Sequence, residues 1–211
     1  MILNDYYWYF QSALPEKVCQ QIIDTAKQKQ GQVAVTGTEA KKLKQKNKLS
    51  KKDLLDLKKY RNSNIVWLDD PWIFNAVQPF IREANLHSGW NFEWSWSETA
   101  QFTAYHKNQH YDWHADSWNK PYNCPELDNK HGRIRKLSVT VSLSDPKDYT
   151  GGELEFDFRN SKKGNNKKVC KEIRPRGSIV VFPSFVWHRV KPVKSGTRYS
   201  LVIWNIGWPF K

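Results

Sequence analysis

The sequence predicts a mainly β, α+β domain: a double-stranded β-helix, or jelly roll, with supporting N-terminal helices. Three observations carry this. The hydrophobic period changes near Trp90 from about 3.6 residues to 2. Beyond that point about eight short alternating runs follow one another, separated by Gly, Pro, Asn and Asp clusters, as in a double-sheet jelly roll. No internal repeat and no linker demands a second domain. The expected organisation is therefore one domain over 1–211, with residues 1–89 as helical support and 90–211 as the jelly-roll core.

Tyr6 to Phe10 reads as a short aromatic strand. A helix should follow from Pro15, because proline suits a first helical turn. Val18, Ile22 and Ala26, with Cys19 and Ile23 beside them, form its apolar stripe. Gly31 to Ser50 has no such period and is read as a mobile loop or lid, part of a basic loop over 31–61. Ser50-Lys-Lys-Asp53 resembles a capping box ahead of a short helix through Leu54, Leu55 and Leu57. Asp70-Pro71 reads as the cap and first position of a helix carrying Ile73, Phe74, Val77 and Ile81. Pro79 should kink that helix and Ser88-Gly89 should end it. From Trp90 on, Phe92, Trp94 and Trp96 alternate with polar residues. So do Leu137, Val139, Val141 and Leu143, and then Leu154, Phe156 and Phe158. Further strands fit Ser178–Phe182, Val186–Val190 and Arg198–Trp204.

Eleven Trp and an aromatic content of 14% argue against disorder despite a mean hydropathy of −0.77. No apolar run approaches the roughly 20 residues of a membrane span. The N-terminus lacks a basic region followed by a cleavage site, so no signal peptide is expected. Cys19, Cys124 and Cys170 are far apart and odd in number, which argues for a reducing, cytoplasmic setting and against a disulfide framework. The net charge of +13 is concentrated. Residues 41–61 carry +8 and 159–176 carry +7, which leaves −2 for the rest. Such segments either attract nucleic acid or an acidic partner, or are simply solvated loops.

Two stretches look like halves of one metal site. The first, from Tyr105 to Asp116, holds two His-x-Asp pairs, His110/Asp112 and His114/Asp116. Residues i and i+2 on a strand share a face, so either pair could present an imidazole and a carboxylate together. One such pair is weak evidence, and parity does not separate the two. The second stretch is Trp187-His188. His188 is in phase with Val186 and Val190 on an inward face, where a lone histidine is usually only a satisfied core residue. Ten residues on, Arg198 shares a face with Ser200, Val202 and Trp204. A buried arginine needs an anion: either an internal carboxylate or a bound dicarboxylate gripped by two parallel hydrogen bonds. Two His and one carboxylate with open positions opposite are the ligand set of a non-haem Fe(II) oxygenase.

The ordered set of blocks resembles the Fe(II)/2-oxoglutarate-dependent dioxygenases, and more narrowly the prolyl 4-hydroxylase-like branch of bacterial and viral type. The blocks are Gln101-Phe-Thr-Ala-Tyr105, Tyr111-x-x-His114-x-Asp116, Arg135 to Leu143, Gly151-Gly-Glu-Leu154, and Phe182 through His188 to Arg198-Tyr-Ser200. The resemblance places the ligand His three residues after one Tyr and nine after another, which selects His114 and Asp116. It implies His114, Asp116 and His188 as catalytic iron ligands. It also implies Arg198 on the distal carboxylate of 2-oxoglutarate, with Tyr105 and Ser200 assisting. Fe(II), 2-oxoglutarate, O2 and ascorbate are the implied cofactors, and succinate and CO2 the co-products of C–H hydroxylation. Collagen-type relatives commonly have Lys where this chain has Arg198, which argues against a collagen-like substrate.

The implied substrate is a peptidyl-proline. The alternatives are an oxygenase acting on nucleic acid or a nucleic-acid-associated protein, drawn in by segments 41–61 and 159–176, and a non-catalytic jelly-roll binding module. Trp113, Trp118, Tyr122 and Trp187 are candidates to line a substrate channel. The loop from Ser117 to Arg135 is a candidate wall. The Lys/Asn-rich bias hints at a viral source, which would place the protein in a host cytoplasm; no membrane partner is expected.

Overall fold

A computed structural model describes residues 3, 5–34, 51–117, 120–159 and 166–210. The chain runs β1 (Trp8–Phe10), α1 (Glu16–Gln28), β2 (Gln32–Val33), α2 (Lys51–Tyr60), β3 (Arg61–Asn62), β4 (Asn64–Leu68) and α3 (Pro71–His87). It continues through β5 (Trp96–Ser97), β6 (Ala100–Tyr105), β7 (His110–His114), β8 (Ile134–Ser142), β9 (Tyr149–Gly151), β10 (Leu154–Asp157) and β11 (Lys167–Val169). It ends with β12 (Ile179–Pro183), β13 (Trp187–Val190), β14 (Val193–Gly196) and β15 (Arg198–Gly207). The larger sheet has the order β1-β12-β8-β15-β6-β4-β2, with β5 also on β15; the smaller is β11-β10-β13-β7-β3, and β14 pairs β9. The expected jelly roll is thus present. The first 89 residues also contribute strands to both sheets.

The larger sheet buries its apolar face against α1 and α3. Leu137, Val139 and Val141 of β8 and Leu201 and Ile203 of β15 pack with Ile22, Ile23, Ile73, Val77 and Ile81. Each such buried side chain is worth about 1.5–3 kcal/mol. Period-2 alternation then turns the polar residues of the same strands inward, toward the smaller sheet. Thr103, Ser138, Thr140, Ser142 and Ser200 are all buried there. The helices consume the apolar face, so the larger sheet sends these polar side chains into the inner chamber, which Leu154, Phe182 and Val190 also line.

Local departures from the expected pattern have physical causes. Residues 90–95 do not join a sheet, because the Asn85 side chain already takes both backbone groups of Phe92, at 2.9 and 3.0 Å, and Asn91 sits at φ 51. Only Trp96 and Ser97 pair with β15. Helix α3 runs through Pro79 without interruption. The bond that Pro79 forgoes would run to Asn75, and both residues are exposed, where water can substitute. Asp70 does not cap α3 through its side chain; it pairs with Lys29 at 3.1 Å. The expected loop from Gly31 begins with a strand, β2, against β4. Its remainder, and Ser50 of the expected capping box, lie outside the described residues. No helix among the described residues is long and apolar enough to cross a membrane. All three cysteines are free thiols.

Candidate metal centre

A β-bulge builds the first half of the site. On β13, His188 lies opposite His114 and Val190 opposite Tyr111. One residue, Arg189, therefore faces two, Asp112 and Trp113. The extra residue brings Tyr111 and His114, three apart in sequence, onto one inner face. Their rings stack with centroids 3.5 Å apart and planes at 16°. Asp112 is exposed and its carboxylate accepts the Trp113 N–H at 2.8 Å. His110 Nε2 lies 2.9 Å from the Lys59 carbonyl. The His110/Asp112 pair is thereby kept out of the site.

Asp116 lies beyond the end of β7, so strand parity is not what places it. Its N–H donates to the Ser184 carbonyl at 2.8 Å. Its Oδ2 accepts the Ser138 hydroxyl at 2.8 Å, and the Ser138 and Ser184 hydroxyls lie 2.9 Å apart. Ser138 and Ser184 are site residues that sequence reasoning missed. The only signal was that Ser138 falls on the polar face of β8.

His114, Asp116 and His188 are all buried, and their ligand atoms lie within 4.8 Å of one another. His114 Nε2 is 3.8 Å from Asp116 Oδ1, and His188 Nε2 is 3.6 Å from Oδ2. Each imidazole Nδ1 sits at a backbone carbonyl: His114 at Asp112, 2.7 Å, and His188 at Val186, 3.0 Å. Nδ1–H donation there leaves both Nε2 lone pairs aimed at the carboxylate, as metal-binding histidines require. Burial, followed by the charge of His188, lowers His114 to about 3. Burial alone would raise Asp116, but His188, His114 and Arg135 outweigh it and hold it at about 2. His114 therefore rests as a neutral imidazole and Asp116 as a carboxylate, with the His188 imidazole completing the cluster. That donor set suits a divalent first-row metal and fits Fe(II).

The second half of the site is built around a buried arginine. β15 pairs with β6 so that Arg198 lies opposite Tyr105 and Ser200 opposite Thr103. Arg198 is buried, and its guanidinium donates to the Ser200 hydroxyl at 3.3 Å. Among the described residues no carboxylate lies within ion-pair distance of it. The internal-partner explanation for this arginine therefore has no support. Burial raises the Tyr105 phenol, which stays a hydroxyl donor. Arg198, Tyr105 and Ser200 line the same pocket as His114, Asp116 and His188. Gly152 explains the Gly-Gly block. It has φ +66, and a Cβ there would meet Arg198 Cδ at 2.9 Å.

Several sequence expectations need correction. Arg61 is not part of a solvated basic loop. It is buried, its Nε donates to Ser63 at 3.2 Å, and its guanidinium lies 4.3 Å from the Tyr111 ring centroid. Arg174 turns onto the carbonyls of Tyr149, Pro146 and Gly151. The described parts of the two basic segments are therefore less uniformly surface charge than the sequence suggests. Trp113 and Trp187 do not line the pocket, because each precedes an inward histidine and so faces outward. Trp118 lies outside the described residues. Tyr122 is engaged elsewhere. Its hydroxyl donates to Glu98, which also pairs with Lys130 and Arg135 and so ties the 120–135 loop to the larger sheet.

Comparison with known proteins agrees with this geometry. The family pattern of the 2OG-Fe(II) oxygenase superfamily matches residues 100–205, half of the chain. The protein belongs to that superfamily, whose name states its reliance on Fe(II) and 2-oxoglutarate. A PKHD-type hydroxylase of Synechococcus sp. (strain CC9902) is 42% identical over 95 residues, covering 44% of this chain and 35% of that protein. The PKHD-type hydroxylase YbiX of Escherichia coli O157:H7 is 34% identical over 107 residues, covering 50% and 41%. The match thus spans about two-fifths or less of these relatives' own length. Two solved structures share the fold. One is the viral collagen prolyl hydroxylase of Paramecium Bursaria Chlorella virus-1, with TM-score 0.62, 21% identity, and 97% of each chain covered. The other is a Trichoplax adhaerens prolyl hydroxylase in complex with a hypoxia inducible factor peptide fragment, with TM-score 0.67, 16% identity, and 96% and 84% covered.

Proposed function

We propose that this protein hydroxylates a C–H bond of a peptidyl-proline, using Fe(II), O2 and 2-oxoglutarate and releasing succinate and CO2. The observation that carries the reading is Arg198: a buried guanidinium without a carboxylate partner among the described residues, in the same pocket as the His114–Asp116–His188 cluster. Bound iron would supply the oxidising chemistry.

The protein's own residues have definable tasks. His114, Asp116 and His188 would hold the metal on one side, leaving the opposite side open. The Asp112 and Val186 carbonyls and the Ser138 hydroxyl keep those three side chains from turning. Arg198 would bind the distal carboxylate of 2-oxoglutarate through paired charge-assisted hydrogen bonds, with Ser200 fixing one guanidinium nitrogen and Tyr105 donating its hydroxyl. The retained carboxylate of Asp116 argues for hydroxylation over halogenation, and a non-catalytic module would have no need for the complete set.

The peptide assignment rests on likeness. The relatives are PKHD-type hydroxylases, and the structural neighbours are prolyl hydroxylases, one of them bound to a peptide. The test is succinate release with Fe(II) and 2-oxoglutarate, screened against proline-containing peptides, free amino acids and oligonucleotides. A +16 Da product confined to proline peptides is expected. Turnover stimulated only by oligonucleotides or free amino acids would reject the peptidyl-proline assignment while leaving the oxygenase chemistry standing.

A further inference from the structure

We propose that the outward face of the smaller sheet is a platform for single-stranded nucleic acid, separate from the metal pocket on its inner face. The strand order brings together what the sequence keeps apart. β11, with exposed Lys167, is one edge of the smaller sheet, and β3, entered directly from Lys58 and Lys59 of α2, is the other. Described residues of the two basic segments, about a hundred positions apart in the chain, thus stand at opposite margins of one surface.

Between the margins lie Trp187 on β13 and Trp113 on β7. Each directly precedes a histidine of the metal cluster, so each indole faces out while its neighbour faces in. Cations lie on both. The Arg159 guanidinium is 3.5 Å from the Trp187 ring centroid. Arg189 and Lys167 stand 4.6 and 5.6 Å from that of Trp113. Arg189 is fixed in place by buried Glu155, with Nε at 2.7 Å and Nη2 at 2.6 Å.

Of the carboxylates on this face, Glu155 is ion-paired, whereas Asp157 and Asp112 accept backbone N–H groups and keep their charge. Glu155 takes Arg189 and also Lys191 at 3.5 Å. Asp157 accepts the Arg159 backbone N–H at 3.1 Å, and Asp112 accepts that of Trp113 at 2.8 Å. No carboxylate of the described residues pairs with the Arg159 guanidinium. The face therefore sets cations against two flat indole rings.

A single-stranded nucleic acid offers what this arrangement can bind. Its phosphates suit the guanidinium and ammonium groups, and its exposed bases can stack on indole or guanidinium planes. A duplex hides its base faces, and an acidic peptide offers charge without rings.

The test is a fluorescence-anisotropy titration of a labelled mixed-sequence single-stranded 15-mer with the full chain, in chelator so that oxygenase activity plays no part. Binding should fall steeply with salt and exceed that of the matching duplex. The double variant Arg159→Asn/Lys167→Ala should bind roughly tenfold more weakly, with a salt slope shallower by about two contacts. Asn is chosen because Arg159 has φ 49, which Asn tolerates. Both residues are exposed, so the variant should melt like the parent. Absence of binding at low salt would overturn the proposal. So would equal binding of the duplex, equal competition by polyglutamate, or a double variant that binds like the parent.

Discussion

Tyr111 stacks face to face on His114, with ring centroids 3.5 Å apart, although Asp112 and Trp113 lie between them on one strand. Only the bulge opposite Arg189 permits this, and Arg61 closes the stack from the other side of the Tyr111 ring. Tyr111 thus works as a wedge that holds the His114 imidazole. Tyr111→Ala should weaken Fe(II) binding roughly tenfold, the scale seen when a ligand's outer support is lost. Tyr111→Phe keeps the ring and should bind like the parent. Metal titration of the two variants separates a packing role from a role of the hydroxyl, which would make both equally weak.

Ser138 supports Asp116 from beneath, at 2.8 Å. Ser138→Ala leaves one carboxylate oxygen without its donor in a buried site. Fe(II) affinity should drop about tenfold or more, with little change in 2-oxoglutarate affinity measured at saturating metal. An unchanged metal titration would show that the Ser184 backbone contact alone positions Asp116.

Gly152 gives room to the Arg198 stem. Gly152→Ala places a Cβ at 2.9 Å from Arg198 Cδ, at a φ of +66 that alanine resists. A stability loss of about 1–3 kcal/mol is expected from the backbone alone. The more specific expectation is weaker 2-oxoglutarate binding, by about tenfold, because the displaced guanidinium loses its paired geometry. Calorimetric titration with 2-oxoglutarate reads this directly, and a destabilised variant with parental affinity would contradict it.

Glu98 links stability to pH. Burial would raise its carboxyl, but Arg135 and Lys130 outweigh burial and lower it below the ordinary value of 4.5. A carboxyl depressed on folding contributes stability that is present above its unfolded value and is lost as pH falls through its folded value. Glu98→Gln should therefore lower Tm at neutral pH and flatten the loss of stability below about pH 4.5. Parallel melting curves for parent and variant across that range would show that the cluster contributes nothing.

The sequence was legible where chemistry follows a simple period. Arg198, Ser200 and Trp204 fall on one face of β15 by alternation alone, and the structure buries all three. Pro15, Asp70-Pro71 and Gly89 marked helix limits correctly to within a residue. Features created by long-range contact were not legible. The bulge in β7 depends on its partner β13, and Asp116 is held by Ser184 from 68 positions away and by Ser138 from 22. Arg61 looked like surface charge because nine lysines and two aspartates precede it between Lys41 and Tyr60; only the packing against Tyr111 shows otherwise. Alternation in residues 90–96 misled because Asn85 captures the backbone that a neighbouring strand would have used.

The most direct measurement compares parent and Asp116→Ala for Fe(II) binding and for 2-oxoglutarate-dependent succinate release, with thermal melting as a folding control. The parent should bind one Fe(II) and release succinate. The variant should stay folded, lose tight metal binding and release none. Succinate release by Asp116→Ala at the parental rate, or a parent that binds no Fe(II), would contradict the assignment of His114, Asp116 and His188 as the metal centre.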